Sequence, residues 1–344
     1  MEPMLISASV VVAVACAGLM GFAIQRGATC TVAAVDELLT KRKAKRLVAM
    51  LEASLWVAGG LVLAESLGML PAMPAAYPVS AWVFIGGALL GFGAWLNGAC
   101  VFGAIARFGS GDSNYLATPI GFYLGCLTVG SLFGAPSPDP LSAESLVLHA
   151  SSAFAPLFLV FAAWRTVPPL FDALRAWRDE SDTGALARRV WAPHAATVVI
   201  GATFVAILLL VGVWAYTDVL AQLAKGRSMR LALGVVCLLA LYVGAWLGGW
   251  SAGRLSAMRL TAAGIAKCLA GGALMAWGSL LIPGSNDGLI LIGMPLLRPY
   301  AWLAFLTMCV TVALALWLSR GLAWSPQQRA GAASRLDHDR SHAP

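Results

Sequence analysis

Residues 86–103, GGALLGFGAWLNGACVFG, and residues 271–288, GGALMAWGSLLIPGSNDG, are two writings of one segment. Aligned without a gap they share Gly86/Gly271, Gly87/Gly272, Ala88/Ala273, Leu89/Leu274, Gly93/Gly278, Leu96/Leu281 and Gly103/Gly288, and Cys100 falls opposite Ser285. Each copy begins as an apolar, small-residue helix and runs into a Gly-rich break with a small polar side chain. Small neighbours let backbones approach closely and leave amide N–H groups able to face a ligand. In a hydrophobic chain, paired breaks of this kind build a buried polar site between two related halves of a membrane protein.

The rest of the chain agrees with that setting. Of its 344 residues, 60% are hydrophobic and 11% charged, and the mean hydropathy is +0.80. So few charges cannot cover a soluble domain. The apolar runs are continuous and about 20 residues long, where a membrane β-barrel would alternate apolar and polar positions. The expected fold is therefore an all-α membrane protein. Apolar runs predict helices at about 4–24, 47–68, 79–96, 115–133, 146–164, 194–216, 230–250, 262–282 and 299–319, which makes nine transmembrane spans. Gly-rich stretches at 25–36, 97–111, 250–258 and 283–297 are too apolar for ordinary loops and too short to cross a bilayer. They predict re-entrant half-helices, shielded by protein or water. The spans form one polytopic domain over 1–320, with repeat-like halves at about 1–135 and 193–320 joined by 136–192. The polar stretch 321–344 reads as a disordered cytoplasmic tail.

The formal net charge of +7 reads as topology rather than nucleic-acid binding, because Lys and Arg cluster between apolar runs. Lys41, Arg42, Lys43, Lys45 and Arg46 follow the first span. Arg165, Arg175, Arg178, Arg188 and Arg189 follow the fifth, Arg254, Arg259 and Lys267 the seventh, and Arg320 onward the ninth. All fall on one side, which puts the N-terminus outside and the C-terminus in the cytoplasm. The loops 69–78 and 134–145 lack Lys and Arg, as outside loops should, while Lys225, Arg227 and Arg230 run against the rule. The start MEPMLISASV has no basic residue, so it reads as the first membrane helix rather than a signal peptide. Ala13–Cys16 has only a faint likeness to a lipoprotein cleavage site. The first copy ends the third span and the second ends the eighth, five spans later, and an odd separation points the two copies opposite ways through the membrane. That is an inverted repeat, the arrangement by which transporters set a site near the midplane.

A fainter copy lies near the start. LMGFAIQRGATC at 19–30 matches LLGFGAWLNGAC at 89–100 at Leu19/Leu89, Gly21/Gly91, Phe22/Phe92 and Cys30/Cys100. Seven cysteines at irregular spacing make no zinc or disulfide pattern. Cys16, Cys126, Cys237 and Cys309 lie inside apolar spans and read as small hydrophobes. Cys268 adjoins Lys267, yet adjacent helix residues face different ways. Cys30 and Cys100 stand apart because they recur in matching breaks, where a half-helix would turn its positive end to an anion. Charge at membrane depth is costly and points to function, which singles out Arg26, Arg107, Asp112 and Asp287. The structural alternative has Arg26 and Arg107 snorkelling to an interface, or Arg107 paired with Asp112. His149, His194, His338 and His342 are scattered, and no role attaches to Glu52 or Glu65. There is no P-loop, no GxGxxG in a strand–helix context and no His/Glu pair at helical spacing, so no enzyme, cofactor or metal site is expected. Transport without an ATP site is passive or ion-coupled unless a partner supplies energy.

Gly21–Cys30, GFAIQRGATC, and Asn97–Asp112, NGACVFGAIARFGSGD, resemble the YeeE/YedE sulfur-transport family, as does the looser element Gly271–Gly288. The similarity runs from about 18 to 318. The resemblance implies an hourglass of broken helices dipping in from both sides, with cysteines lining a narrow path that carries thiosulfate into the bacterial cytoplasm. It also implies a small sulfur-carrier protein on the inner face. By position, Cys30 and Cys100 match the family's first two functional cysteines, and the third falls at Ser285, where the family typically has Gly-Gly-Cys and this chain has Gly284-Ser285-Asn286-Asp287. A thiol is a soft donor suited to a terminal sulfur, while Ser and Asn are harder donors suited to oxygen. An ionised Asp287 on the path would repel a dianion. Either it lies off the path, capping a helix or pairing with a cation, or the substrate differs.

These readings converge on a permease of the bacterial inner membrane for a small sulfur-containing anion, thiosulfate first. The expected path residues are Cys30, Cys100, Ser285, Asn286 and Asn97, with Arg26, Arg107 and Lys267 as anion-attracting groups. The thiols are expected to act neutral, because a thiolate would repel the anion. Weak, sequential contacts suit conduction. Two other readings stay open. One is a membrane sulfurtransferase or redox component with a persulfide on Cys100, helped by Arg107. The other is a scaffold docking a cytosolic sulfur carrier through the basic 41–46 loop.

Overall fold

Glycine and alanine let the long apolar helices of this chain pack backbone against backbone, and that packing sets the architecture. A computed structural model of the protein describes residues 2–133, 145–149, 151–179, 191–226, 231–253, 255 and 260–323. Among them the chain is helical, with no strand. In order the helices are α1 (Glu2–Gly27), α2 (Thr31–Lys41), α3 (Lys45–Ser66), α4 (Ala81–Asn97), α5 (Val101–Gly109) and α6 (Ala117–Phe133). Then come α7 (Ser151–Asp179), α8 (Pro193–Val211), α9 (Tyr216–Ala224), α10 (Leu231–Ser251) and α11 (Ala262–Leu281). The single turn α12 (Asn286–Gly288) continues as a π-helical turn, Leu289–Gly293, before α13 (Pro299–Ala323).

Among the described residues, seven helical segments are long and apolar enough to cross a membrane: Ala8–Lys41, Lys45–Ser66, Ala81–Gly109, Pro193–Val211, Leu231–Ser251, Ala262–Leu281 and Pro299–Arg320. They cover seven of the nine expected spans; the other two, at about 115–133 and 146–164, correspond to α6 and α7, which border residues outside the described set. The disordered-tail expectation lies outside the described residues from 324 on, as do Arg188, Arg189, Arg227, Arg230, Arg254, Arg259, His338 and His342.

The two copies of the repeated segment pack on each other. A Cβ on Gly86 would meet Gly278 and Ile282, and one on Gly93 would meet Gly271 and Met275, so α4 and α11 run antiparallel. The flanking pairs obey the same symmetry. Gly87 and Gly91 of α4 lie on Thr307 and Thr311 of α13, so those helices run parallel. Gly121 and Gly125 of α6 lie on Leu269 and Ala273 of α11, also parallel. In the same way α1 runs parallel to α10, through Gly18 on Ala240 and Gly21 on Ala245. Helix α3 runs parallel to α8, through Gly60 on Val205 and Trp56 on Gly201. Exchanging α4 with α11, α6 with α13, α1 with α8 and α3 with α10 reproduces the set of contacts, with direction reversed. This is the inverted pseudo-repeat.

Four long helices end in a short break followed by a short helix: α1 to α2, α4 to α5, α8 to α9, and α11 to α12. Left-handed or extended glycines stop two of them, Gly98 at φ +75° and Gly212 at φ +91°. Three of the four breaks coincide with expected stretches. The expected break at 250–258 is instead the end of α10 and a turn through Ala252 and Gly253, with Arg254 and 256–259 outside the described residues. The fourth break lies at 212–215, inside a run expected to be one helix to residue 216. Gly212 stops α8 there, although Val213 and Trp214 keep the run apolar.

Candidate functional site

The residue before each short helix is extended, and these four residues are Cys30, Cys100, Ala215 and Ser285. Under the exchange of halves, Cys30 corresponds to Ala215 and Cys100 to Ser285. The four first turns are tied into a closed ring. The Thr31 N–H of α2 donates to Cys100 Sγ at 3.1 Å, before α5. Thr31 Oγ1 donates to Asn286 Oδ1 of α12 at 3.2 Å. On the other side, Thr217 of α9 donates its hydroxyl to Asp287 Oδ1 at 2.6 Å and its N–H to Oδ2 at 3.3 Å. Tyr216 closes the ring, its hydroxyl donating to the Val101 carbonyl of α5 at 3.2 Å.

Inside this ring the two sequence-matched thiols meet. Cys100, 0% exposed, donates to Cys30 Sγ at 3.8 Å, and Cys30 is 8% exposed. Donation therefore runs from Thr31 N–H to Cys100 and from Cys100 to Cys30, with Cys30 at the end of the chain. Gly103 makes this approach possible, because a Cβ there would stand 2.4 Å from Cys30 Sγ. Its repeat partner Gly288 has nothing within 4 Å of the same point. Ala215 is a smaller residue than its counterpart Cys30, and the space on this side is open.

That space belongs to a cavity of about 740 Å³, lined among others by Ser285, Gly288, Thr217, Asp218 and Lys225. Pro74 and Tyr77, from the segment without Lys or Arg, also border it. Ser285, 1% exposed, has no partner for its Oγ, and Asn286, 0% exposed, has none for its Nδ2. A buried, unpaired polar group costs free energy, so two at the meeting point of broken helices make this the candidate site. Asp287 is 2% exposed, and both carboxylate oxygens accept from Thr217. It holds α9 to α12, which is the capping alternative for this residue.

Asn97 shapes the break before Cys100. Its Nδ2 donates to the Ala99 carbonyl at 2.7 Å, and its Oδ1 accepts from Thr118 at 3.0 Å. Tyr115 adds a bond to the Asn97 carbonyl at 3.0 Å. The basic candidates stand elsewhere. Arg26 is buried, donates to Ser251 Oγ at 2.8 Å and lies 5.1 Å from the Phe22 ring. Arg107 is exposed and lies over the Tyr115 ring at 5.6 Å. Asp112 accepts from the N–H and side-chain amide of Asn114, so in place of the alternative Arg107–Asp112 pair there is a cation–π contact and a turn cap. Lys267 is exposed, one residue before buried Cys268.

Sequence reasoning missed Thr31, Thr217, Tyr216 and the role of Glu52. Thr31 and Thr217 carry a signal as the first polar residues of helices that begin inside an apolar region, but the break before Tyr216 and Thr217 was hidden by Val213 and Trp214. Glu52 accepts from Arg165 Nε at 2.7 Å and also contacts His194, joining α3, α7 and the start of α8. Among the described residues no group of His, Cys, Asp or Glu is arranged to hold a metal ion.

Membrane helices broken around a shared buried centre, with unsatisfied donors there, have the build of a transporter. The family model for sulphur transport matches residues 26–314, and the chain belongs to that family, the YeeE/YedE sulfur transport family. Comparison with the curated proteins finds no match. Family and fold together support a sulfur transporter.

Proposed function

We propose that the protein carries a small sulfur-containing anion, thiosulfate in the first place, across a bacterial inner membrane into the cytoplasm. The observation that carries this reading is the contact of Cys30 with Cys100 at the meeting point of four half-helices, beside the unpartnered Ser285 Oγ and Asn286 Nδ2. The anion enters the cavity bordered by Tyr77, where Lys225 supplies a positive charge, and descends to Ser285. Beyond it, the Cys30 S–H donates a weak hydrogen bond to the terminal sulfur, and Cys100 positions Cys30. Neutral thiols hold a dianion loosely enough to release it. Asn97 keeps the break before Cys100 in shape.

In this reading the N-terminus faces outside and the C-terminus the cytoplasm, the segments 1–135 and 193–320 act as inverted halves, and a small cytosolic sulfur carrier collects the anion inside. Arg26, Arg107 and Lys267 raise the local anion concentration from the helix ends rather than bind it at the thiols. The test is radiolabelled thiosulfate uptake by vesicles holding the purified chain alone. Cys30→Ala and Cys100→Ala should each abolish uptake at unchanged protein levels, and wild-type uptake in either variant refutes the role. The closeness of the thiols also favours a second reading, a sulfurtransferase holding a persulfide on Cys100. Intact-mass detection of one added sulfur on Cys100, without uptake by the vesicles, would establish it instead.

A further inference from the structure

Ser285 and Asn286 carry the strongest unexplained observation in the molecule. Their side chains are almost fully buried, yet Ser285 Oγ and Asn286 Nδ2 have no partner. The orientation of Asn286 is set by Thr31, whose hydroxyl donates to Oδ1 and so leaves the NH2 group as the free end of the amide. Ser285 lines the cavity, and the neighbouring Gly288 leaves its floor open. Two hard donors, O–H and N–H, thus lie across the Thr31 bridge from two soft donors. Thr31 contacts both groups: its N–H holds Cys100 and its hydroxyl holds Asn286.

We propose that Ser285 and Asn286 form an oxygen-end subsite, so that the centre takes sulfur oxyanions by both ends, oxygen at Ser285 and Asn286 and sulfur at Cys30. This deepens the transport reading above and rests on it for the soft end of the site. An anion with no oxygen, such as hydrosulfide, leaves both hard donors unpaired. A site built to hydrogen-bond a group rejects an analogue lacking it, because buried donors then go unsatisfied. Sulfate pairs with the hard donors but brings no exposed sulfur to Cys30. Sulfite and thiosulfate meet both requirements. In the other break the equivalent of Ser285 is Cys100, whose hydrogen bonds are already made to Thr31 and Cys30. The unlike residues at equivalent positions give a pseudo-symmetric centre a direction.

The experiment is direct binding of sulfite, thiosulfate and hydrosulfide to the full chain in lipid nanodiscs, by calorimetry, alongside thiosulfate uptake by vesicles. Ser285→Ala and Asn286→Ala should each weaken sulfite and thiosulfate about tenfold, the effect of losing one hydrogen bond to a charged group. Hydrosulfide binding should change less than about twofold, since the subsite makes no bond to it. Ser285→Thr keeps the hydroxyl and should bind sulfite as the wild type does, which guards against a folding artefact. Wild-type sulfite affinity in both alanine variants overturns the subsite, as does an equal loss of hydrosulfide binding or a wild type that binds no oxyanion. The two readings separate cleanly. Vesicles that take up no thiosulfate, together with loss of sulfite binding in Ser285→Ala, end the transport reading and leave the subsite standing. Normal uptake with unaltered sulfite binding in the alanine variants ends the subsite alone.

Discussion

Replacing Gly103 by Ala puts a methyl group where Cys30 already sits. The added Cβ stands 2.4 Å from Cys30 Sγ, 2.9 Å from Cys30 Cβ and 3.0 Å from Ala99 Cβ, while ordinary contact starts at 3.4 Å. Cys30 must therefore retreat by about 1 Å, and its place before α2 means the break moves with it. Overpacking of this kind costs about 1–3 kcal/mol. The functional cost is larger, because the 3.8 Å contact with Cys100 is lost and a 1 Å error in a positioned group costs up to about 100-fold. Gly288→Ala is the matched control, since its Cβ meets nothing within 4 Å. Initial rates of thiosulfate uptake by vesicles, paired with a melting curve for each variant, make the comparison. Gly103→Ala should lose at least tenfold in rate with a lowered melting temperature, and Gly288→Ala should stay within about threefold of wild type. Wild-type uptake by Gly103→Ala, or equal damage from Gly288→Ala, refutes the argument that the two halves do different work.

Two further substitutions probe the supports of the site. Asn97→Ala leaves the buried Ala99 carbonyl and the Thr118 hydroxyl without their partner, a loss of about 1–3 kcal/mol. It should lower thermal stability and slow uptake, and retention of both at wild-type values would remove Asn97 from the break's support. Glu52→Ala removes the shared acceptor of Arg165 and His194. Breaking a buried ion pair costs about 3–5 kcal/mol, and the partial exposure of Arg165 reduces this to roughly 2 kcal/mol. A melting-temperature drop with normal uptake per folded molecule is expected, whereas lost uptake in a stable variant would move this cluster into the transport machinery.

Much of the architecture was legible because it depends on composition and on repeated small residues. The continuous apolar runs could only be membrane helices, and the doubled GGAL segment became two antiparallel helices in contact through Gly86, Gly93, Gly271 and Gly278. The match of Cys30 to Cys100 in like frames was legible too. The positions of the breaks were less so, because an apolar run records hydrophobicity without recording where a helix stops. The break before Thr217 shows the same limit, since Val213 and Trp214 are as apolar as the helix they interrupt.

Sequence by itself determined the class of protein, the inverted pairing of its halves and the cysteines to examine, since these follow from hydrophobicity and from identities along the chain. Tertiary structure decided what each polar residue does there. Asp287 is occupied by Thr217, Arg107 by the face of Tyr115, and Asn97 by the backbone of its own break. Ser285 and Asn286 alone among the expected path residues keep a buried polar atom without a partner. Whether a buried donor is satisfied depends on groups up to 255 residues away in the chain, such as Thr31 and Asn286, and no local pattern encodes that.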